Sequence, residues 1–175
     1  MNSAFKSTAL VICTAALGLS ASAVWAQAHQ HAHPQGHAKA TTQRVVLPFD
    51  ETTWAHALQN GPRPAAYLFT TSYCSTCPAA FAVLHKAVQQ HKDKPELNAV
   101  MIDVTGPQAL RHAAHFKGMT HMYAFDGFEP AIRQAVDPAW PNVTPYVVLV
   151  DAKGQTQRVI GPPTPLMLKR WLAPS

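Results

Sequence analysis

The stretch that organises the chain is Ala65-Ala66-Tyr67-Leu68-Phe69-Thr70-Thr71-Ser72-Tyr73-Cys74-Ser75-Thr76-Cys77-Pro78. Its apolar first half predicts a buried strand, and residues 79–90 predict a helix with Phe81, Leu84 and Val88 on one face. Two thiols separated by two residues at a helix N-terminus can close a disulfide, and the helix dipole lowers the pKa of the attacking thiol. The stretch therefore indicates thiol-disulfide chemistry.

The cysteine count narrows the choice between redox, zinc and structural sites. The chain has three cysteines, and the third, Cys13, lies in the N-terminal segment. A zinc site of two cysteines and two histidines stays open, but it requires the His-rich N-terminal segment to fold back onto the motif. A purely structural disulfide is disfavoured, because closing so short a loop constrains the unfolded chain little.

The N-terminus has the features of a secretory signal peptide. Lys6 precedes an apolar stretch from Ala9 to Leu19, and small residues follow as far as Ala26. The apolar stretch is too short to span a bilayer with confidence. We therefore expect residues 1–26 to be removed near Ala26, with Ala23 as a second option. The mature protein is then periplasmic, where a cysteine pair persists as a disulfide.

Residues 27–43 form a segment rich in histidine, glutamine and alanine, without apolar periodicity. A flexible, solvated linker is the favoured interpretation. Its alternating imidazoles are also weak candidates for binding zinc, copper or nickel. These histidines are His29, His31, His33 and His37.

Residues 44–175 have the length of a single domain. The formal net charge of the whole chain is +5 with neutral histidines, and the basic residues are spread rather than clustered. Without an interleaved basic and aromatic stretch, nucleic acid is excluded as the expected partner. No second apolar segment has the length of a membrane span.

Hydrophobic periodicity divides this domain into alternating strands and helices. Asp50 is the expected N-cap of a helix that ends at Asn60-Gly61-Pro62. Thr164-Pro165 opens the final helix. Strands are predicted at 44–47, 65–71, 97–104, 146–150 and 156–160, and a helix at 107–116. Residues 117–139 carry a weaker signal, and part of them is expected to form a loop over the active site.

This order of elements, together with Thr144-Pro145 before the fourth predicted strand, resembles the thioredoxin-like superfamily from Arg44 to Ala173. The resemblance implies an α/β fold, with a central mixed sheet flanked by helices and an N-terminal strand-helix extension. It also implies that Cys74 is the exposed attacking thiol and Cys77 the buried resolving one. Thr144 and a cis Pro145 would form the substrate-docking edge.

The resemblance further implies an exported thiol-disulfide oxidoreductase that needs no cofactor. Its partners would be protein thiols and disulfides of the periplasm and a redox partner in the membrane. The chain departs from thioredoxins proper at two positions. Tyr73 stands where tryptophan is usual, and Leu68 stands about where thioredoxins keep a buried acid beneath the resolving cysteine.

A weaker similarity concerns the copper-handling Sco-type branch of the same fold. Pro78 after the motif and the turn at residues 151–154 are shared features. That branch spaces its cysteines one residue wider and has a ligand histidine where this chain has Asn142-Val143-Thr144-Pro145. A periplasmic copper-binding or metal-delivery protein is therefore the alternative function.

Five further side chains are weighed as additions to the site. Trp140, His121 and Tyr123 precede the docking strand and are candidates for a lid over the disulfide. His112 and His115 lie about one helical turn apart and are weighed as a metal pair. For all five, ordinary surface or core positions are the favoured interpretation.

Overall fold

The computed structural model of the chain describes residues 45–174, which form one six-stranded mixed sheet flanked by helices. The strands are β1 (Val46–Phe49), β2 (Ala65–Thr70), β3 (Glu96–Met101), β4 (His121–Phe125), β5 (Tyr146–Val150) and β6 (Thr156–Ile160). Their order across the sheet is β1-β4-β3-β2-β5-β6. The first four strands in that order are parallel, whereas β5 and β6 are each antiparallel to the preceding one.

Helices cover both faces of this sheet. They are α1 (Glu51–Asn60), α2 (Cys77–Gln90), α3 (Gly106–Leu110), α4 (Glu129–Val136) and α5 (Pro165–Trp171), with a 3-10 helix at Ala113–Phe116. Within residues 45–174, no helix combines the length and apolar character needed to cross a membrane. The predicted signal peptide (1–26) and the predicted linker (27–43), with Cys13, His29, His31, His33 and His37, lie outside the described residues.

Two hydrophobic cores lie on opposite faces of the sheet. Successive side chains of a strand point to opposite faces, and β2 is buried on both. Leu68 belongs to the first core, with Leu84 of α2. Phe69 belongs to the second core, with Trp54 of α1 and Ile132 of α4. The continuous apolar run of β2 therefore reflects its position as an inner strand.

Several predicted elements are confirmed. Helix α1 begins after the N-cap Asp50, whose Oδ1 accepts a hydrogen bond from the Thr53 amide at 2.7 Å. The Thr53 hydroxyl in turn accepts a bond from the Asp50 amide at 3.1 Å. Strands β5 and β6 have the predicted bounds, and α5 begins at the predicted Thr164-Pro165. The expected α/β fold, with a central mixed sheet flanked by helices and a preceding strand and helix, is confirmed.

Part of residues 117–139 lies in loops, as expected, but the stretch also contains two regular elements. This stretch contains β4, which lies between β1 and β3, and helix α4. Met122 and Ala124 of β4 are buried, whereas His121 is exposed and Tyr123 half-buried. A five-residue strand with mixed polarity gives a weak local signal, and its identity depends on pairing with distant strands.

Other boundaries differ by a few residues. The strand predicted at 44–47 lies at 46–49, and the strand predicted at 97–104 lies at 96–101. The helix predicted at 107–116 is divided into α3 and the 3-10 helix. Hydrogen bonds of the turn type, from the amides of Arg111 and His112 to carbonyls three residues back, accompany this division.

The topology brings one set of loops to a single edge of the sheet. The parallel strands β2, β3 and β4 all end there, and antiparallel β5 begins there because Phe69 lies opposite Tyr146. The start of α2, the segment after β3 and Thr144-Pro145 thus share this edge, which we call the motif edge.

Candidate functional site

The loop between β2 and α2 presents the cysteine motif at the motif edge. Asp103, which follows β3, holds this loop: both of its carboxylate oxygens lie 2.9 Å from the Ser72 amide. The Ser72 hydroxyl donates to Oδ2 of the same carboxylate at 2.6 Å. The Cys74 amide donates to the carbonyl of Thr71 at 3.2 Å, closing a tight turn. The chain therefore enters the motif in a fixed direction.

Cys74 and Cys77 form a disulfide with an S–S distance of 1.99 Å and a Cα–Cα distance of 5.5 Å. Cys77 is the first residue of α2 and is 0% exposed, in the first core that also contains Leu68. Cys74 is half-buried and lies before the helix. Of the two sulfur-bearing residues, only Cys74 is accessible to another molecule.

The start of α2 provides polar groups next to Cys74. Thr76 occupies the N-cap position but makes no side-chain capping bond, and Pro78 lies in the first turn. The hydroxyl oxygen of Thr76 is 3.9 Å from Cys74 Sγ, within reach of a weak hydrogen bond to sulfur. Because amides at a helix N-terminus favour negative charge, this position stabilises a Cys74 thiolate when the disulfide is reduced.

A hollow of about 260 Å³ opens beside Cys74. Its lining includes Tyr73, Pro78, Phe116, His112 and His115. The tyrosine ring is 80% exposed, so it forms an outer wall that a bound chain can contact. Thr71 also lines the hollow, and its hydroxyl oxygen is buried without a hydrogen-bond partner among residues 45–174. The hollow thus combines aromatic walls with polar groups.

The three residues weighed as a lid do not border this hollow. His121 opens β4 at the edge of the sheet away from the motif, 4.0 Å from Glu96. Tyr123 packs edge-on against Phe49, with ring centroids 5.7 Å apart, beside the second core. Trp140 is buried in the second core, on the face opposite Cys77. The lid interpretation is wrong for all three.

Thr144-Pro145 lies at the motif edge directly before β5, and its peptide bond is cis. Pro145 is buried, Thr144 is half-buried, and the Pro145 carbonyl accepts a hydrogen bond from the Gly161 amide at 2.9 Å. The predicted docking residues are therefore at the same edge as the disulfide.

Trp140, in the second core, contacts the segment that precedes this peptide bond. Its indole Nε1 donates to the carbonyl of Val143 at 3.1 Å, and its ring stacks on Tyr146 with centroids 4.4 Å apart. The Tyr146 hydroxyl donates to Asp137 Oδ2, and Arg158 Nε lies 3.6 Å from the same oxygen. The segment is thus anchored on both sides of Thr144-Pro145.

These contacts have electrostatic consequences. Burial acts to raise the pKa of Asp137, but the hydrogen bonds from Tyr146 and the Ala139 amide, with the charge of Arg158, outweigh it and lower that pKa. Burial, and then the hydrogen bond to Asp137, raise the pKa of Tyr146 above its ordinary value. The phenol stays protonated and the carboxylate stays charged at neutral pH, so the hydrogen bond persists.

Asp103, Thr71 and the position of the two histidines at the motif were not predicted. A signal for Asp103 exists, because a polar residue directly after a strand parallel to β2 is expected near the motif. His112 and His115 give no such signal, since their position at the hollow depends on how a short helical segment folds back. Within residues 45–174, no group of three or more His, Cys, Asp or Glu side chains is placed to hold a metal ion.

No family model matches the chain, and no curated protein sequence matches it. Among solved structures, it is similar to a secreted Mycobacterium tuberculosis disulfide oxidoreductase homologous to E. coli DsbE, at 16% identity over 62% of this chain and 76% of that one, with a TM-score of 0.44. It is also similar to the thioredoxin domain of a Bacteroides vulgatus thiol-disulfide oxidoreductase, at 16% identity over 63% and 80% of the two chains, with a TM-score of 0.49. StoA from Bacillus subtilis shows 20% identity over 62% and 81%, with a TM-score of 0.43. These likenesses are too distant to transfer residue roles.

Proposed function

We propose that the chain is an exported thiol-disulfide oxidoreductase that exchanges disulfides with protein substrates through Cys74 and Cys77. The observation that carries this proposal is the unequal burial of the pair. Cys74 is half-buried beside an open hollow, whereas Cys77 is fully buried in the first turn of α2. A structural disulfide has no need of an access route to one sulfur, but an exchanging one does.

In the reducing direction, the thiolate of Cys74 attacks one sulfur of a substrate disulfide. A mixed disulfide forms, and the other substrate sulfur leaves as a thiolate, which takes up a proton. Cys77, once deprotonated, attacks Cys74 Sγ, so the Cys74–Cys77 disulfide forms and the second substrate thiol is released. Two electrons pass from the protein to the substrate, and the oxidising direction is the reverse of these steps.

The proposed roles follow the position of each sulfur. The N-terminus of α2 and the Thr76 hydroxyl favour the thiolate at Cys74, which makes it the attacking group. Thr144 and Pro145, at the same edge, are the proposed docking residues for the substrate chain. The mixed disulfide between Cys74 and the substrate would then lie between the start of α2 and the Thr144-Pro145 segment.

The cellular setting is proposed from the sequence. A signal peptide over residues 1–26 would deliver the chain to the periplasm, where disulfides persist. Each cycle leaves the pair in one oxidation state, so a partner must restore the other state, and a redox protein of the membrane is the proposed partner. The reduction potential decides whether the protein reduces or oxidises its substrates.

Insulin reduction and the reactivation of scrambled ribonuclease, each measured with the purified protein, test the function. We expect turnover in at least one assay, and loss of that turnover in Cys74→Ser. The alternative is a metal-delivery protein. Absence of turnover in both assays, with stoichiometric binding of copper or zinc by the reduced protein, would overturn the proposal in favour of that alternative.

A further inference from the structure

The residues between the two cysteines do not explain how charge would stabilise a thiolate at Cys74. Ser75 and Thr76 are uncharged, so neither sets the stability of the thiolate by its charge. The hollow beside Cys74, however, is bordered by His112 and His115, which come from a different part of the chain. Their ring centroids are 6.2 Å apart.

The fold holds these two side chains at the hollow. His112 is the N-cap residue of the 3-10 helix, and His115 lies in its last turn. Ala113 and Phe116 of the same helix are buried in the first core. The ring of Phe116 packs edge-on against Phe81 of α2, with centroids 5.3 Å apart. The 3-10 helix is therefore fixed to α2, which begins at Cys77, and both histidines line the hollow.

Few other ionisable groups surround this place. From the motif loop, Tyr73 and Cys74 line the hollow, and Asp103 is bonded to Ser72 of the same loop. Helix α2 contributes His85, whose ring stacks near Phe81. Arg111 and Lys117 flank the 3-10 helix and are exposed. Apart from the single carboxylate of Asp103, the charges that these groups carry near neutral pH are positive.

We propose that the protonated imidazoles of His112 and His115 stabilise the thiolate of Cys74, so that disulfide exchange depends on pH. The inference rests on the proposed function and names the regulation of its attacking thiol. An opposite charge near a thiolate favours the ionised form. Stabilising the thiolate favours the reduced protein and makes it the stronger oxidant.

The test is the pH dependence of Cys74 alkylation by iodoacetamide in the reduced protein, with EDTA present. Peptide mass spectrometry separates Cys74 from the other cysteines. We expect the double variant His112→Gln/His115→Gln to react about tenfold more slowly than the wild type at pH 6. At pH 9 the two proteins should agree, because neutral imidazoles no longer attract the thiolate. In glutathione buffer at pH 6, a larger fraction of the variant should be in the disulfide form.

Two further variants control this experiment. His56→Gln changes an exposed histidine of α1, beside the second core, and should leave the alkylation profile unchanged. His115→Gln alone alters an exposed side chain and should retain the fold while shifting the profile in the same direction by a smaller factor. Thermal unfolding of each variant checks that the fold is kept.

The outcomes separate this inference from the proposed function. Wild-type turnover with superimposable alkylation profiles for the wild type and the folded variants would overturn the role of the histidines alone. A shifted profile without turnover of insulin or scrambled ribonuclease would support that role and contradict the proposed oxidoreductase. A shift of equal size in His56→Gln would also overturn it, because the effect would then come from net charge alone.

Discussion

Cys77 lies in an apolar environment, which affects the ionisation of its thiol. It is 0% exposed, and Leu68 of the same core is equally buried. The carboxylate of Asp103, which lies at the motif edge, accepts hydrogen bonds from Ser72. Once the disulfide is reduced, burial in this apolar environment disfavours the thiolate of Cys77 relative to that of Cys74. We therefore expect the two thiols of the reduced pair to differ in ionisation as well as in access.

Replacing the resolving thiol should trap the intermediate of the exchange. In Cys77→Ser, Cys74 still attacks a substrate disulfide, but nothing releases the mixed disulfide that forms. We expect covalent complexes with scrambled ribonuclease on non-reducing gels, which disappear on addition of dithiothreitol. Cys74→Ser should form none. Complexes that form equally in both variants would contradict the assigned roles.

An acid introduced at residue 68 tests whether water has access to this position in the first core. Leu68→Asp places a carboxylate in this core, where burial raises its pKa. A raised pKa in the folded state means that stability is lost as the pH rises above the ordinary value of about 4. We expect Leu68→Asp to lose at least about 2 kcal/mol more than Leu68→Asn at pH 7, measured by urea unfolding. Equal stability of the two variants at pH 7 would show that the space admits water.

At the scale of single elements, the start of α1 shows how an N-cap residue that is recognisable in the sequence stabilises the fold. Hydrogen bonds from the side chains of Thr52 and Thr53, and from the Thr53 amide, lower the pKa of Asp50 to about 2. This cap ties β1 to α1, whose Trp54 enters the second core. Loss of the cap should therefore lower the free energy of unfolding and leave the candidate site unchanged.

Asp50→Ala should lower the free energy of unfolding by about 1 kcal/mol at pH 7. Because the folded pKa lies below the unfolded one, the contribution of the charged cap is present above about pH 4 and is lost as the pH falls towards 2. Denaturant titrations at several pH values measure this change. Asp50→Asn keeps a capping oxygen and should lack this pH dependence; a dependence equal to that of the wild type would contradict the assignment.

The segment before β5 depends on contacts from the second core. Trp140 Nε1 bonds to the carbonyl of Val143, and the stacked Tyr146 follows Pro145 directly. A side chain on the face of the sheet opposite α2 therefore positions the proposed docking edge. If Thr144 and Pro145 dock the substrate as proposed, the second core contributes to substrate binding as well as to stability.

Trp140→Phe keeps an aromatic ring but removes the hydrogen bond to Val143. We expect the KM for a protein disulfide to rise by about threefold to tenfold, consistent with a loss of about 1 kcal/mol. The rate with a small disulfide such as 5,5′-dithiobis(2-nitrobenzoate), which does not use the docking edge, should stay unchanged. Trp54→Phe is the matched control in the same core. An unchanged KM in Trp140→Phe, or an equal rise in both variants, would contradict the positioning role.

At the scale of the whole molecule, residues 45–174 contain both cores, the disulfide and the proposed docking edge. Each core covers one face of the same sheet, and the candidate site lies at the motif edge. Substrate exchange and fold stability are therefore expected to reside in this part of the chain.

Deletion of residues 27–43 from the full chain should leave thermal unfolding and disulfide turnover within about twofold of the wild type. Binding of nickel or copper, measured by calorimetry, should be lost if His29, His31, His33 and His37 supply the ligands. A deletion variant that loses turnover would show that this segment takes part in the reaction. Replacement by an equally long glycine-serine segment controls for spacing from the signal peptide.

The sequence alone predicted the fold class and the candidate site. The buried strand, the cysteine pair at the start of α2, the cap at Asp50 and the β5–β6 hairpin all have local periodicity or turn chemistry that can be recognised without the structure. Thr144-Pro145 could be predicted as a docking edge only through a family resemblance.

The tertiary structure alone decided three features. It placed β4 between β1 and β3, put His112 and His115 beside Cys74, and assigned Trp140 to the second core. Each depends on contacts between residues far apart in the chain, and such contacts leave no periodic signal in a short segment. The sequence could therefore identify the cysteines that we propose to react, whereas the charged residues near them are brought there by packing.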